Sequence, residues 1–159
     1  MDKFEEYKLQ KNKYAYYLEK QGKLFEKARA VIVYEGKVLI IYNPKSNTYT
    51  IPGGGVDEGE TVQQAVKRET FEESGYQVEP VKEIRKHFYE VPMELDGEKY
   101  ISHRVEYYYL CALKNLDHKI VNGIEGEYES QVLLQWSDFD ALKNCGWTTE
   151  QIEELRNAI

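Results

Sequence analysis

Glu69, Glu72 and Glu73 are the side chains of this sequence best suited to bind a metal ion. Their spacings of three and four residues place the three carboxylates on one side of a helix. Like charges at these spacings destabilise a helix by about 0.2–0.5 kcal/mol per pair, and burying an unpaired carboxylate costs far more. A cation between them removes both penalties. Because the segment offers oxygen ligands and no His or Cys, the pattern favours Mg²⁺ or Mn²⁺ over Zn²⁺.

The helix that carries these glutamates is predicted to run from about Val62 to Ser74. Thr61 and Gln64 form a capping-box pattern at its start, and Gly75 supplies a left-handed stop. The apolar stripe of the helix continues directly into the three carboxylates. The opposite side, which the pattern assigns to solvent, consists of Gln63, Gln64, Lys67, Arg68 and Ser74, together with Phe71. Arg68 is therefore expected to point away from the carboxylates.

Gly53, Gly54 and Gly55 lie between a predicted short strand and this helix. Residues without a Cβ atom let the backbone approach a ligand closely. A glycine loop alone is weak evidence for a site. Beside a carboxylate cluster, however, it predicts a metal-bridged phosphate site, in which the loop forms the floor and cations neutralise the phosphate oxygens. The three glycines are therefore candidates for substrate binding.

The segment from Gly54 to Tyr76 resembles the signature box of the Nudix hydrolase family. That box is Gly, five residues, Glu, seven residues, Arg-Glu, an aliphatic residue, one residue, Glu-Glu, one residue, Gly and an aliphatic residue. Its fixed positions are occupied here by Gly54, Glu60, Arg68, Glu69, Glu72, Glu73 and Gly75. Thr70 and Tyr76 stand where aliphatic residues are usual, which changes the packing beneath the helix and removes no metal ligand.

The resemblance implies an α/β fold, an α/β/α sandwich around a mixed β-sheet. It implies that Glu69, Glu72 and Glu73 bind divalent cations together with the backbone carbonyl of Gly53, and that Arg68 pairs with Glu60 to orient the loop. The implied reaction is attack of water on a phosphorus of a nucleoside diphosphate linked to another group, X. The implied catalytic residues include Glu72, Glu73 and Arg68, and the implied cofactor is Mg²⁺ or Mn²⁺.

The general base of this reaction lies in the box or in a later loop, depending on the member of the family. The later candidates in this chain are Glu125, Glu127 and Glu129, which precede a predicted strand near Trp136. Glu127 and Glu129 rank first because they lead into that strand. The alternative is that these side chains only solvate the loop, since exposed Glu is common.

The group X is open at this point among nucleoside triphosphates, ADP-ribose and nucleotide sugars. Pro92, sixteen residues after the box, resembles a mark of ADP-ribose pyrophosphatases, although a proline also fits an ordinary turn or edge strand. Four basic or imidazole side chains flank the predicted sheet and are candidates for contact with phosphate or ribose, namely Arg85, His87, His103 and Arg104. The functional alternative is a non-catalytic nucleotide sensor, but its usual broken box is not found.

Composition excludes several other classes of protein. The chain has 159 residues and a formal net charge of −7, which argues against a binder of nucleic-acid backbones. No signal-peptide pattern and no run of about 18 apolar residues is present, so neither export nor membrane spanning is expected. The two cysteines form no disulfide framework. We therefore expect a cytoplasmic enzyme acting on a small nucleotide.

The remaining elements suggest one domain with an added N-terminal helix. Residues 3–21 have an amphipathic, tyrosine-rich pattern and belong to a predicted extension over residues 1–27, which packs on the predicted Nudix domain (28–159) or in a homodimer. Glu35-Gly36 and Asp96-Gly97 predict hairpins. Extended segments are predicted from Ala28, at about 81–91 and 99–113, and at 131–136, followed by a helix start at Ser137 and a last helix capped by Thr148.

Overall fold

The computed structural model of the chain describes residues 24–95, 97–114 and 132–159. The predicted helix over residues 3–21, Asp96 of the second hairpin, and Glu125, Glu127 and Glu129 lie outside them. In chain order the elements are β1 (Phe25–Tyr34), β2 (Lys37–Asn43), β3 (Thr48–Thr50), β4 (Gly53–Gly55), α1 (Val62–Ser74), β5 (Val78–Leu95), β6 (Glu98–Leu113), β7 (Leu133–Ser137), a 3-10 helix (Phe139–Cys145) and α2 (Thr149–Ala158).

The seven strands form one mixed sheet around β1. β1 runs parallel to β6 and antiparallel to β2 and β4. β5 and β6 form a long antiparallel hairpin, and β2 also pairs with β3 and β7. The parallel contact places residues of β1 beside residues nearly 80 positions later in the chain, so it brings together side chains that sequence proximity does not connect.

Helices cover both faces of this sheet. Successive side chains of a strand point to opposite faces, and β1 therefore contributes to two cores. The first core lies under α1 and includes Ala28, Ala30, Ile32, Ala65, Val66 and Val105. The second lies under the 3-10 helix and α2 and includes Val31, Ile40, Leu142, Trp147, Ile152 and Leu155. This arrangement confirms the predicted α/β/α sandwich around a mixed sheet.

Both predicted hairpins are present. Glu35 and Gly36 have φ values of 48° and 74°, the two positive values that a type I′ turn between β1 and β2 requires. Gly97 has φ 80° at the end of the β5 and β6 hairpin. The strands are longer than predicted: β1 begins at Phe25 rather than Ala28, and β5 and β6 pair from Val78 and Leu113 to Leu95 and Glu98.

The C-terminal region differs from expectation at one point. The helix predicted to start at Ser137 is a 3-10 helix that follows Asp138, whose carboxylate accepts from Lys37 instead of capping the helix, and Gly146 ends it in a left-handed conformation. Thr148 and Gln151 then form the predicted capping box of α2. No helix among the described residues is long and apolar enough to span a membrane.

Candidate active site

Two close approaches of the backbone build the site around the glycine strand β4. β4 pairs with β1, so Gly53 lies opposite Arg29 and Gly54 opposite Ala28. A Cβ atom on Gly53 would stand 2.2 Å from the Ala28 carbonyl oxygen, and one on Gly54 would stand 2.5 Å from Cδ of Glu69. Any other residue at these two positions would displace the strand or the carboxylate. The glycines thus bring the loop backbone directly against the glutamates of α1.

α1 begins and ends where the sequence predicts. Thr61 and Gln64 make both hydrogen bonds of the capping box, and Gly75 closes the helix with φ 77°. The expectation that Ser74 lies on the solvated side is wrong, because this residue is only 2% exposed. Its hydroxyl donates to the Thr70 carbonyl at 2.6 Å, which satisfies the polar group inside the protein.

The expectation that Arg68 points away from the carboxylates is wrong. Its guanidinium donates to Glu69 at 2.8 Å and to Glu72 at 3.4 Å, and it forms a two-pronged pair with Glu60 at 2.8 and 3.0 Å. A further N–H donates to the Gly55 carbonyl at 2.9 Å. The long side chain of arginine reaches along the helix surface, so a helical wheel does not fix where its charge lies.

These contacts make Arg68 the connection between the glycine strand and the carboxylates of α1. Its hydrogen bonds lower the pKa of Glu60, so that carboxylate is ionised near neutral pH. The planar guanidinium binds two segments at once: it contacts β4 through the Gly55 carbonyl, and it contacts the loop between β4 and α1 through Glu60. Arg68 therefore holds the loop and the helix in one geometry.

Glu73 is the most perturbed carboxylate of the group. Burial raises its pKa to about 8, while the Gly53 N–H at 3.4 Å and the nearby Arg29 oppose that rise. The neighbouring charges of Glu69 and Glu72 raise it further. A desolvated carboxylate among like charges is stabilised by a nearby cation. A divalent ion bound beside Glu73 would therefore favour its charged state.

We expect this burial to make the stability of the metal-free protein depend on pH. The unfolded chain releases the Glu73 proton near pH 4.5, whereas the folded protein, in which the pKa is raised, holds it until about pH 8. This group therefore lowers the free energy of unfolding progressively as the pH rises from 4.5 to 8. Glu73→Gln should therefore melt at a higher temperature than the wild type at pH 8 in EDTA, with little difference near pH 5. Thermal unfolding at pH 5 and pH 8 tests this expectation, with Glu79→Gln as a control at an exposed position. A melting-temperature difference between Glu73→Gln and the wild type that is the same at both pH values would contradict it.

The donor set fits a hard divalent cation in its chemistry. It comprises carboxylate oxygens on α1 and backbone oxygens on β4, without nitrogen or sulfur ligands. In the described part of the chain, no three acidic, His or Cys side chains are grouped closely enough to hold an ion as they stand. Glu69 and Glu72 are instead directed onto Arg68. Binding an ion would require their carboxylates to turn from Arg68 toward Glu73.

A cleft of about 370 Å³ lies on the sheet face that α2 covers. We call it the α2 cleft, and its lining includes Arg29, Arg85, His87, Glu106, Tyr108 and Trp147. Arg29 Nε donates to Glu106 at 3.0 Å, and the Tyr108 hydroxyl donates to the same carboxylate at 3.2 Å. Arg29 also faces Gly53 across the strand pair. The cleft therefore adjoins the glycine strand.

Sequence reasoning missed Arg29, Glu106 and Trp147. The available signal was a charged residue inside an apolar strand: Arg29 interrupts the run that begins at Ala28, and Glu106 interrupts the run before Tyr107. Such residues need a partner when buried. The pairing of the two depends on the parallel register of β1 and β6, in which Arg29 lies beside Tyr108 and Lys27 beside Glu106.

The other predicted substrate residues are divided between the two faces of the sheet. Arg85 and His87 line the α2 cleft. Arg104 is two residues before Glu106 on β6, so its side chain lies on the same face of the strand. Its guanidinium lies over the Phe25 ring. His103 is fully buried and its pKa is lowered by that burial, so it is not exposed to a ligand. Pro92 is an exposed residue of β5 opposite Ile101.

Comparisons with known proteins identify the family and the fold. A family model described as the NUDIX domain matches residues 24–156. An ADP-ribose pyrophosphatase from Streptococcus suis is similar in structure, with a TM-score of 0.59 and 20% identity over 86% of this chain and 92% of that one. A MutT protein from Methanosarcina mazei has a TM-score of 0.57 and 19% identity over 85% of this chain and 94% of that one. An Ap4A hydrolase from C. elegans has a TM-score of 0.53 and 20% identity over 84% of this chain and 96% of that one. None of the curated proteins matches the sequence.

Proposed function

The chain belongs to the Nudix hydrolase family, and we propose that it hydrolyses the diphosphate bond of a nucleoside diphosphate linked to X. One observation carries the proposal. Glu69 and Glu72 are held by Arg68, Glu73 lies against the Gly53 N–H of the glycine strand, and Arg29 on the neighbouring strand lines the α2 cleft. This arrangement offers oxygen ligands for a cation, and a cationic side chain close enough to them to lower the pKa of Glu73.

Nudix hydrolases generally use divalent metal ions. In this chain the ligands would be Glu69, Glu72 and Glu73, with the carbonyl of Gly53. A bound Mg²⁺ or Mn²⁺ would polarise the phosphate and lower the pKa of its water. The carboxylates would hold the cation, while Gly53 and Gly54 keep the floor of the site free of side chains so that phosphate oxygens can approach the backbone.

The remaining residues would bind the substrate and accept its proton. Water forms the new oxygen bond to phosphorus, the bridging oxygen leaves with the other phosphate, and a carboxylate accepts the proton. Glu127 and Glu129 are the proposed acceptors. Arg29, fixed by Glu106, lies where it can contact a phosphate beside Gly53, and we assign Arg85 and Arg104 to binding farther along the substrate.

The substrate classes proposed for X are a further phosphate, as in nucleoside triphosphates, a ribose, as in ADP-ribose, and a nucleotide-sugar moiety. The names of the structural relatives support this range, since they include an ADP-ribose pyrophosphatase and an Ap4A hydrolase. All of these compounds contain a phosphoric anhydride attached to a nucleoside. We therefore propose hydrolysis of this anhydride, and a substrate panel is needed to identify X.

A substrate panel tests the proposal. Purified protein with Mg²⁺ should convert at least one nucleoside diphosphate derivative to a nucleoside monophosphate and phosphoryl-X, detected by ion-pair chromatography. EDTA should stop the reaction, and excess Mg²⁺ should restore it. Release of nucleoside monophosphate from no member of the panel, with a protein that melts cooperatively, would contradict the proposal.

A further inference from the structure

Four residues form one row across the sheet, from the carboxylate site to the far end of the α2 cleft. Gly53 pairs with Arg29, Arg29 with Tyr108, and Tyr108 with Arg85. Neighbouring strands are about 4.8 Å apart, so the Cα atoms of Gly53 and Arg85 are separated by about 14 Å. Gly53 contacts Glu73 at one end. Arg85 therefore stands at a fixed distance from the place where the diphosphate would bind.

Arg85 is held by aromatic rings rather than by a carboxylate. Its guanidinium carbon lies 4.1 Å from the centroid of Tyr108 and 4.2 Å from that of Trp147. These two rings meet edge to face, with centroids 5.7 Å apart. Its Nε is buried and has no hydrogen-bond partner. Within the described residues, no carboxylate lies within ion-pair distance of Arg85, although the Tyr108 hydroxyl is a hydrogen-bonding neighbour.

The charges of the α2 cleft leave Arg85 uncompensated. Glu106 is the carboxylate among its lining residues, and it is already bonded to Arg29 and Tyr108. Those hydrogen bonds and the charge of Arg29 lower the pKa of Glu106 despite its burial, so it stays ionised. Arg29 and Glu106 thus pair with each other, and Glu83 and Glu154, which line the adjoining pocket with Arg85, form no ion pair with it among the described residues. This local positive charge is notable in a chain of net charge −7.

We propose that Arg85 binds a second anionic group of the substrate, a phosphate monoester remote from the diphosphate that is cleaved. The inference rests on the proposed function, because the diphosphate must lie at the Gly53 end of the row. A planar guanidinium held in place by two rings suits phosphate, since little side-chain entropy is lost on binding. The chain then prefers nucleotides that carry an additional phosphate on a sugar.

Matched substrate pairs that differ by one phosphate monoester test this preference. Coenzyme A with 3′-dephospho-coenzyme A, and NADPH with NADH, place that phosphate at two different sugar hydroxyls. We expect the wild type to show a kcat/KM about tenfold or more higher for the phosphorylated member of at least one pair, since only that member can accept hydrogen bonds from the Arg85 guanidinium. Equal values for both members of both pairs would overturn the inference.

Variants at residue 85 separate recognition from packing. Arg85→Gln should reduce the ratio of the two kcat/KM values to near one, and Arg85→Lys should retain part of it because the charge remains. If Arg85 has a purely structural role, Arg85→Gln will lower the kcat/KM of both members of a pair equally and leave their ratio unchanged. That result would overturn the assignment. Lys86→Gln is the matched control: Lys86 is adjacent on β5 and pairs with Tyr107, so its side chain lies on the opposite face. Its ratio should equal that of the wild type.

A binding measurement keeps this inference distinct from the proposed function. With Mg²⁺ present, adenosine 3′,5′-bisphosphate should raise the melting temperature of the wild type more than AMP does, and Arg85→Gln should abolish the difference. If no member of the substrate panel is hydrolysed but this difference appears, the proposed function fails and the anion site stands. If hydrolysis occurs without any phosphate preference and without this difference, the anion site fails and the proposed function stands.

Discussion

Glu72→Gln is expected to lower the turnover number with Mg²⁺ by about 10³-fold or more, while the folded structure is retained. Metal-ion catalysis contributes several kcal/mol, and each 1.36 kcal/mol corresponds to a factor of ten in rate. Glu72 is partly exposed, and its hydrogen bond from Arg68 is long at 3.4 Å, so removal of its charge should cost little stability. Steady-state kinetics and thermal unfolding of the variant check both parts.

Glu58→Gln is the matched control for this substitution. Glu58 is an exposed acidic residue of the loop before α1, and its replacement removes the same charge. It should keep the wild-type turnover number. A Glu72→Gln protein that retains full activity in the presence of EDTA would show that the carboxylates of α1 do not bind the ion that catalysis needs.

The second large effect is expected at the proposed general base. Either Glu127→Gln or Glu129→Gln, but not both equally, should lower the turnover number by about 10²- to 10⁴-fold, the usual contribution of general-base catalysis. The affinity for Mg²⁺ should change little, because neither residue is a proposed ligand. Titration of the melting temperature with Mg²⁺ measures that affinity independently of the rate.

Glu150→Gln provides a comparison for these two variants, since Glu150 is an exposed residue at the start of α2. Surface substitutions of this kind usually change stability by less than about 0.5 kcal/mol. If Glu127→Gln and Glu129→Gln both turn over at the rate of Glu150→Gln, the proton acceptor lies in the box itself or is a metal-bound hydroxide.

Local features of the sequence predict the backbone of the site well. The hydrogen bonds of a capping box connect residues three positions apart, so Thr61 with Gln64 determines where α1 starts, and Gly75 determines where it ends. The turn at Glu35-Gly36 is likewise fixed by two residues that can adopt positive φ. These signals need no knowledge of the tertiary structure.

The side-chain network of the site depends on contacts that the local sequence does not contain. Arg68 reaches Glu60 and Gly55 because its side chain is long and flexible, and a helical wheel records only the direction of its Cα–Cβ bond. The Arg29 and Glu106 pair needs the parallel alignment of β1 and β6, and the Arg85 environment needs Trp147 to follow the 3-10 helix onto the same face. Those alignments arise from the packing of the whole sheet.

The most direct test of metal-dependent diphosphate hydrolysis is product analysis in ¹⁸O-labelled water. For a substrate identified by the panel, the wild type with Mg²⁺ should give a nucleoside monophosphate and phosphoryl-X, with one ¹⁸O atom in only one of them by mass spectrometry. Glu73→Gln should form the same products far more slowly, and EDTA should prevent their formation. Cleavage that proceeds unchanged in EDTA, or products that contain no ¹⁸O, would contradict metal-assisted attack of water at the glutamates of α1.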